Sequence, residues 1–277
     1  KSEDEINRTE SSQIFKQSAD SGNEDSMIVY AKMLHNGEGI ERNIEESARY
    51  YKMAADRGND IAMHEYGQML QRGEGVTKNK LESIHYYKMA IDKGNVYSMK
   101  NFADMLYNGD GIVADQSEAA HFYKLAADGG NVSSMNSYAN ILYENETTKA
   151  EAARYYKLAA DGGNVSSMNS YANILYENEA TRTDAARYYK MAADGGNFDA
   201  KAKYGNMLHK GDVIEANPES AALYYRMSIE GGNETVFNNY ADMLYNGDGV
   251  ALNKQEAARY YNMASDRGDY DAMIKYG

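Results

Sequence analysis

The chain has 277 residues, a formal net charge of −13 and a pI near 4.9. That balance disfavours nucleic acid and anionic membrane surfaces, which select basic faces, and points to a basic or neutral protein partner. The lack of cysteine excludes disulfides and thiolate metal sites, and no run reaches the roughly 18 apolar residues of a membrane-spanning helix.

In chain order, residues 1–22 read as the lone second helix of a truncated repeat, with Asn7 and Glu10 in capping positions. Units follow at 23–58, 59–94, 95–130, 131–163, 164–196, 197–232 and 233–268, and a lone first helix from Asp269 closes the chain. The Gly before each turn Asn marks the period, at Gly22, Gly58, Gly94, Gly130, Gly163, Gly196, Gly232 and Gly268, with spacings of 36 residues broken by two of 33. An aromatic sits seven residues before each, from Phe15 to Tyr261. Self-similarity at this period signals stacked helix pairs, each too small to bury its own apolar face. The expected fold is therefore all-α, one continuous α-solenoid over residues 1–277 with seven full pairs and half a unit at each end. Ends without polar capping repeats imply a longer parent array.

Helix A of each unit starts at the turn Asn, whose side-chain oxygen can satisfy an orphan amide. Its small position, Gly67 and its counterparts such as Ala103 and Gly205, lets a neighbouring helix approach. Helix B opens with a recurring capping box: Asn43 with Glu46, Asn79 with Glu82, Asp115 with Glu118, Thr148 with Glu151, Asn253 with Glu256. Pro218, the single proline, follows Asn217 at a first-turn position that needs no N–H. The Asp that ends helix B, at 56, 92, 128, 161, 194 and 266, opposes the helix dipole; it is expected to accept amides of the following turn, with an acidic ridge for a basic partner as the competing account.

The Gly-x-Gly loops (Gly37/Gly39, Gly73/Gly75, Gly109/Gly111, Gly247/Gly249) lack the strand and the Lys-Ser/Thr of a phosphate loop and read as turn geometry. Units 131–163 and 164–196 lose three residues there, and Val213 stands where the second Gly falls in the seventh copy, which predicts a changed loop. Residues 128–146 and 161–179 are identical, the mark of a tandem duplication. The five histidines, His35, His64, His85, His121 and His209, show no ligand spacing and read as surface residues, so no metal site or cofactor is expected. Most of the 26 tyrosines fall on core phases, with the hydroxyl reaching an edge. No nucleophile elbow or paired-carboxylate site appears, and no enzymatic activity is expected. Sequons at Asn7, Asn131, Asn145, Asn164 and Asn233 read as mostly accidental in so Asn-rich a chain.

The Tyr-Tyr-Lys-Met-Ala-Ala-Asp-x-Gly-Asn string at 50–59, the following Ala-Met-x-x-Tyr-Gly-x-Met-Leu and the Gly-Glu-Gly loop recur in phase. Together they resemble Sel1-like repeats, relatives of tetratricopeptide repeats, over essentially the whole chain. The resemblance implies a right-handed superhelix of antiparallel helix pairs with helix A lining the concave face. It also implies an adaptor or scaffold role.

The polar phase of helix A then supplies the candidate site. It comprises Asn101, Asp104 and Tyr107; Asn136, Asn140 and Tyr143; Asn169, Asn173 and Tyr176; Lys203, Asn206 and His209; and Asn239, Asp242 and Tyr245. Asn140, Asn173 and Asn206 share one phase, and an amide offers both donor and acceptor to the backbone of an extended peptide. The expectation is a non-enzymatic scaffold that binds a protein or extended peptide in this groove. It has no nucleic acid partner and no membrane insertion in this segment. Two alternatives stand beside it: a subunit of an endoplasmic-reticulum quality-control ubiquitin-ligase complex, and an architectural spacer. A cytoplasmic location is the expectation, with the endoplasmic-reticulum lumen as the alternative.

Overall fold

The computed structural model describes residues 3–268 together with 272 and 274. Among the described residues every regular element is helical: α1 Glu3–Asp20, α2 Glu24–Asn36, α3 Ile44–Asp56, α4 Asp60–Arg72, α5 Lys80–Ile91, α6 Val96–Asn108, α7 Gln116–Asp128, α8 Val132–Tyr143, α9 Lys149–Asp161, α10 Val165–Glu177, α11 Arg182–Asp194, α12 Phe198–Lys210, α13 Pro218–Glu230, α14 Phe237–Asn246 and α15 Lys254–Ser265. Even numbers are the helices A and odd numbers the helices B, and α2, α4, α6, α10, α12 and α14 each pack antiparallel on the B that follows. The half-repeat expected from Asp269 lies outside the described residues, apart from 272 and 274. The helices gather into two compact units, one through Tyr138 and one from Ala139.

Aromatic pairs knit six of the A helices to the B helix that follows. In the N-terminal unit Tyr30 meets Tyr50 and Tyr66 meets Tyr86 edge to face, ring centroids 4.9 Å apart in both, and Phe102 meets Phe122 at 5.0 Å. In the C-terminal unit Tyr171–Tyr188, Tyr204–Tyr224 and Tyr240–Tyr260 repeat the contact at 4.9, 5.1 and 5.2 Å. Such pairs contribute about 0.5–1.5 kcal/mol beyond the area they bury. The small position on helix A makes room for the second tyrosine of helix B: a Cβ on Gly67 would stand 2.9 Å from Tyr87 Cε1, and one on Gly205 3.0 Å from the Tyr225 ring.

The caps follow the sequence in most copies. Asn23, Asn59, Asn95, Asn131, Asn164 and Asn197 each accept the amide three residues on, at 2.8–3.0 Å. Asn43, Asn79, Asp115, Asn217 and Asn253 do the same for helix B. Three positions differ. Asn7 lies inside α1 and caps nothing. Thr148 makes no side-chain cap bond, because the shortened connection folds as a 3-10 turn, Glu146–Thr148, and its hydroxyl donates to Leu142 O instead. Asn233 turns to the amide of Thr235, two residues on, so α14 starts late, at Phe237.

In the full-length loops the first Gly closes helix A in the left-handed region and the second, again at positive φ, packs on the start of the preceding helix B. A Cβ on Gly75 would sit on the Ile44 carbonyl, and one on Gly249 on the Pro218 carbonyl. Val213 is not among the positive-φ residues, so that copy of the loop takes another path, as expected for a β-branched residue.

The terminal Asp of helix B does not fold over the turn. Its carboxylate takes the Lys one turn back (Lys52–Asp56 2.6 Å, Lys157–Asp161 2.6 Å, Lys190–Asp194 2.8 Å) and, from the next repeat, the first tyrosine of helix B: Tyr50 OH to Asp20 at 2.5 Å, Tyr86 to Asp56 at 3.0 Å, Tyr188 to Asp161 at 3.4 Å and Tyr224 to Asp194 at 3.3 Å. The acid is kept at an unfavourable helix end because it ties one repeat to the next.

Candidate functional site

The candidate residues stand along the helices A, and all are half-buried or exposed. They do not stand as free side chains. The second tyrosine of helix B reaches the central position of the strip in each pair: Tyr123 donates to Asp104 Oδ1 at 2.7 Å, Tyr156 to Asn140 Oδ1 at 2.8 Å, Tyr189 to Asn173 Oδ1 at 2.8 Å, Tyr225 to Asn206 Oδ1 at 2.7 Å and Tyr261 to Asp242 Oδ1 at 2.5 Å. Burial pushes these phenols up, Tyr225 to about 12, so they are neutral donors at physiological pH. At Asn173 and Asn206, whose Oδ1 also takes Lys203 Nζ and Asn239 Nδ2, the expectation that the amide offers an acceptor is therefore corrected, whereas Asn140 Oδ1 takes the phenol alone. Oδ1 is held by the phenol, which leaves Nδ2 as the group that Asn140, Asn173 and Asn206 can offer to a ligand.

In the N-terminal unit Asn101 donates to Tyr87 OH at 3.3 Å, Lys100 pairs with Asp104 at 2.5 Å, and Tyr107 is exposed. Asn136 stands half-buried on α8. In the C-terminal unit Tyr143 and Tyr176 lean on Tyr156 and Tyr189, at 6.1 and 6.3 Å between centroids. Lys203 Nζ donates to Asn173 Oδ1 at 2.5 Å, and Asn239 Nδ2 to Asn206 Oδ1 at 2.7 Å. His209 Nε2 lies 3.3 Å from Asp248 Oδ2; with Asp242, Tyr245 and Tyr261 they line an open cavity of about 620 Å³. The position one residue after the Met-equivalent dips inward: Ala202 is buried, and Asn169 Oδ1 and Asn238 Oδ1 are buried with no hydrogen-bond partner.

His64 occupies that inward position, which corrects the reading of all five histidines as surface residues. It is 7% exposed, with Nδ1 3.0 Å from Ser98 Oγ and Nε2 2.8 Å from Gln68 Nε2. Burial pulls its pKa down to about 4. The neutral ring bridges α4 and α6. The alignment of His64 with Lys100, Asn136 and Asn169 was visible in the sequence; that this register points inward was not. His85 and His121 take the place of Arg49, Arg154 and Arg187; the arginines lie over the next tyrosine of their own helix, and the two histidines meet the next aromatic edge to face. Glu65, half-buried and with its pKa raised by burial, lines a cavity of about 350 Å³ with Lys32, His35 and Arg72. Among the described residues no cluster of three or more His, Asp or Glu is arranged to hold a metal ion.

Repeated antiparallel helix pairs, with a periodic polar strip on one helix of each, define a helical-repeat protein of the scaffold class. The chain belongs to the Sel1 repeat family, whose model matches residues 25–59, 60–95, 96–131, 135–164, 182–197, 198–233 and 238–269. It is similar to the solved structure of c5321, a protective antigen present in uropathogenic Escherichia coli strains displaying an SLR fold (TM-score 0.87, 27% identity, 95% of this chain and 58% of that one). It is also similar to a Sel1 repeat protein from Oxalobacter formigenes (TM-score 0.69, 19% identity, 99% of this chain and 81% of that one). The chain thus spans 58% of the length of the first of these relatives. No curated protein matches it. Sel1 repeat proteins generally mediate protein–protein interactions and are typically non-catalytic. Among the described residues no helix is long and apolar enough to cross a membrane.

Proposed function

We propose that this chain is a non-enzymatic scaffold whose helix A faces bind an extended segment of a protein partner. In the C-terminal unit the contact is made by Asn140, Tyr143, Asn173, Tyr176, Lys203, Asn206, His209, Asn239, Asp242 and Tyr245, with Asn169 beneath them. Asn101, Asp104, Tyr107 and Asn136 form the corresponding face of the N-terminal unit. One observation carries the reading: amides on α8, α10 and α12 share one register, each fixed through Oδ1 by a buried tyrosine, which leaves Nδ2 as the donor each can offer. A row of oriented amide donors suits the carbonyls of an extended backbone, and pre-orientation lowers the entropy lost on binding. The net charge favours a segment that is neutral or basic over most of its length.

The sequons lend nothing to the endoplasmic-reticulum alternative, since Asn131 and Asn164 cap helices and Asn145 and Asn233 close turns through their side chains. The scaffold reading is tested by the triple variant Asn140→Asp, Asn173→Asp, Asn206→Asp. Each change keeps the oxygen that the tyrosine needs and replaces the Nδ2 donor by an acceptor. Partners captured from the source cell by the parent chain and lost by this variant, at unchanged thermal stability, are the expected result. Equal capture by both overturns the assignment of the binding face.

A further inference from the structure

Around Lys203 the acceptors of the strip are consumed within the fold. Asn173 Oδ1 takes Tyr189 OH at 2.8 Å and Lys203 Nζ at 2.5 Å; Asn206 Oδ1 takes Tyr225 OH and Asn239 Nδ2, each at 2.7 Å. An amide oxygen has two lone pairs, so both are saturated. Asn206 Nδ2 remains, together with the other protons of the Lys203 ammonium, a group with three donors and no acceptor. These donors meet at a cavity of about 150 Å³ lined by Tyr176, Tyr189, Lys203, Asn206, Lys210 and Asp212.

Two lysines against one aspartate leave that cavity net positive within a chain of charge −13. Lys203 is half-buried, 5.5 Å from the centre of the Tyr189 ring, and its hydrogen-bond partner is a neutral amide. Burial lowers its pKa, with the Asp199 charge opposing the shift. The lost hydration of the ammonium is thus only partly offset inside the protein. A single excess positive charge in a space this small suits a monoanion of one to a few heavy atoms beyond its oxygens.

We infer that this cavity is a carboxylate subsite: an Asp or Glu side chain, or the terminal carboxylate, of the bound partner enters beside Tyr176 and Tyr189 and accepts from Lys203, Lys210 and Asn206 Nδ2. The inference rests on the reading that the helix A face binds a protein. It adds an anchor of defined chemistry to an otherwise sequence-tolerant row of amides. Charge-assisted bonds of this kind are roughly twice as strong as neutral ones.

The test is a random peptide array probed with the full chain, each retained peptide being remade in three forms: as selected, with Asp and Glu changed to Asn and Gln, and with an amidated C-terminus. Binding should weaken at least about ten-fold when one class of carboxylate is removed, and by a similar factor in the Lys203→Ser variant of the protein. Serine is the residue at this register in α10, Ser170, so the helix accommodates it. Loss in the Asn/Gln form assigns the carboxylate to a side chain, and loss in the amidated form to a chain end. Peptides that bind equally in all three forms overturn the subsite and leave the scaffold reading standing. Carboxylate dependence that survives Lys203→Ser overturns the assignment to this cavity. If the parent chain retains no peptide, the scaffold reading fails and the subsite with it.

Discussion

Tyr225 donates its hydroxyl to Asn206 Oδ1 at 2.7 Å, and the same bond, helix B to helix A within one repeat, joins Tyr261 to Asp242 at 2.5 Å. Asn and Asp are therefore equivalent on their inner side and opposite on their outer side. The register can change the surface it offers, donor or acceptor, without disturbing the packing beneath. Asn206→Asp is expected to leave stability within about 0.5 kcal/mol of the parent, whereas Asn206→Ala strands the buried phenol and costs about 1–3 kcal/mol. Chemical denaturation of the two variants checks this; equal losses would contradict it.

The bond from Tyr86 to Asp56 runs between repeats, at 3.0 Å. In a solenoid such nearest-neighbour terms couple the units. Tyr86→Phe should cost about 1 kcal/mol and broaden the unfolding transition. The chain holds its own control: α7 carries Phe122 at this position, so Phe122→Tyr, which can reach toward Asp92, should not destabilise. A Tyr86→Phe variant as stable and as cooperative as the parent would refute the coupling.

His64 gives a pH dependence with a definite sign. Its pKa is about 4 in the folded protein, against 6.5 for an ordinary histidine. The unfolded chain therefore binds the proton first as pH falls. Stability from this group is complete above about pH 6.5 and declines toward pH 4, by about 3 kcal/mol in all. Comparing the parent with His64→Gln at pH 7 and pH 4.5 isolates this group from the carboxylates. The variant should lose less on acidification, and parallel losses would contradict the assignment.

Two glycines at positive φ separate strain from crowding. Gly94 has φ +86 and open space where a Cβ would stand, while Gly75 has φ +68 and would place its Cβ on the Ile44 carbonyl. Gly94→Ala should cost about 1 kcal/mol, the left-handed penalty alone. Gly75→Ala should cost distinctly more, with disturbance at the start of α3. Equal costs by thermal denaturation would show that the loop-to-helix contact carries no weight.

The architecture was legible because period, caps and small positions are local facts repeated in phase. Six of the turn asparagines cap as their spacing implies, and Gly67 and Gly205 face tyrosines as their size implies. The misjudged positions depend on what lies across from a residue. The Asp at the end of helix B looked out of place against the dipole until Tyr50 or Tyr86 was seen to reach it from the next repeat. Thr148 matched a capping box, but three missing residues tightened the connection into a 3-10 turn. His64 and Asn169 share a register, and nothing in the sequence says that this register dips between helices. The strip itself was readable as a pattern; that its oxygens are held from inside was not, since the tyrosine partner is 16 or 19 residues away.

Docking of partners on the helices A of the C-terminal unit is the central claim. Site-specific photo-crosslinking addresses it directly, with a photoreactive phenylalanine at Tyr176 or Tyr245 on that face, and at the exposed Leu158 or Met191 on helices B. Crosslinks to captured protein from Tyr176 and Tyr245, with none from Leu158 and Met191, are the expected result. Crosslinks from the helix B positions, with the helix A positions silent, would contradict it.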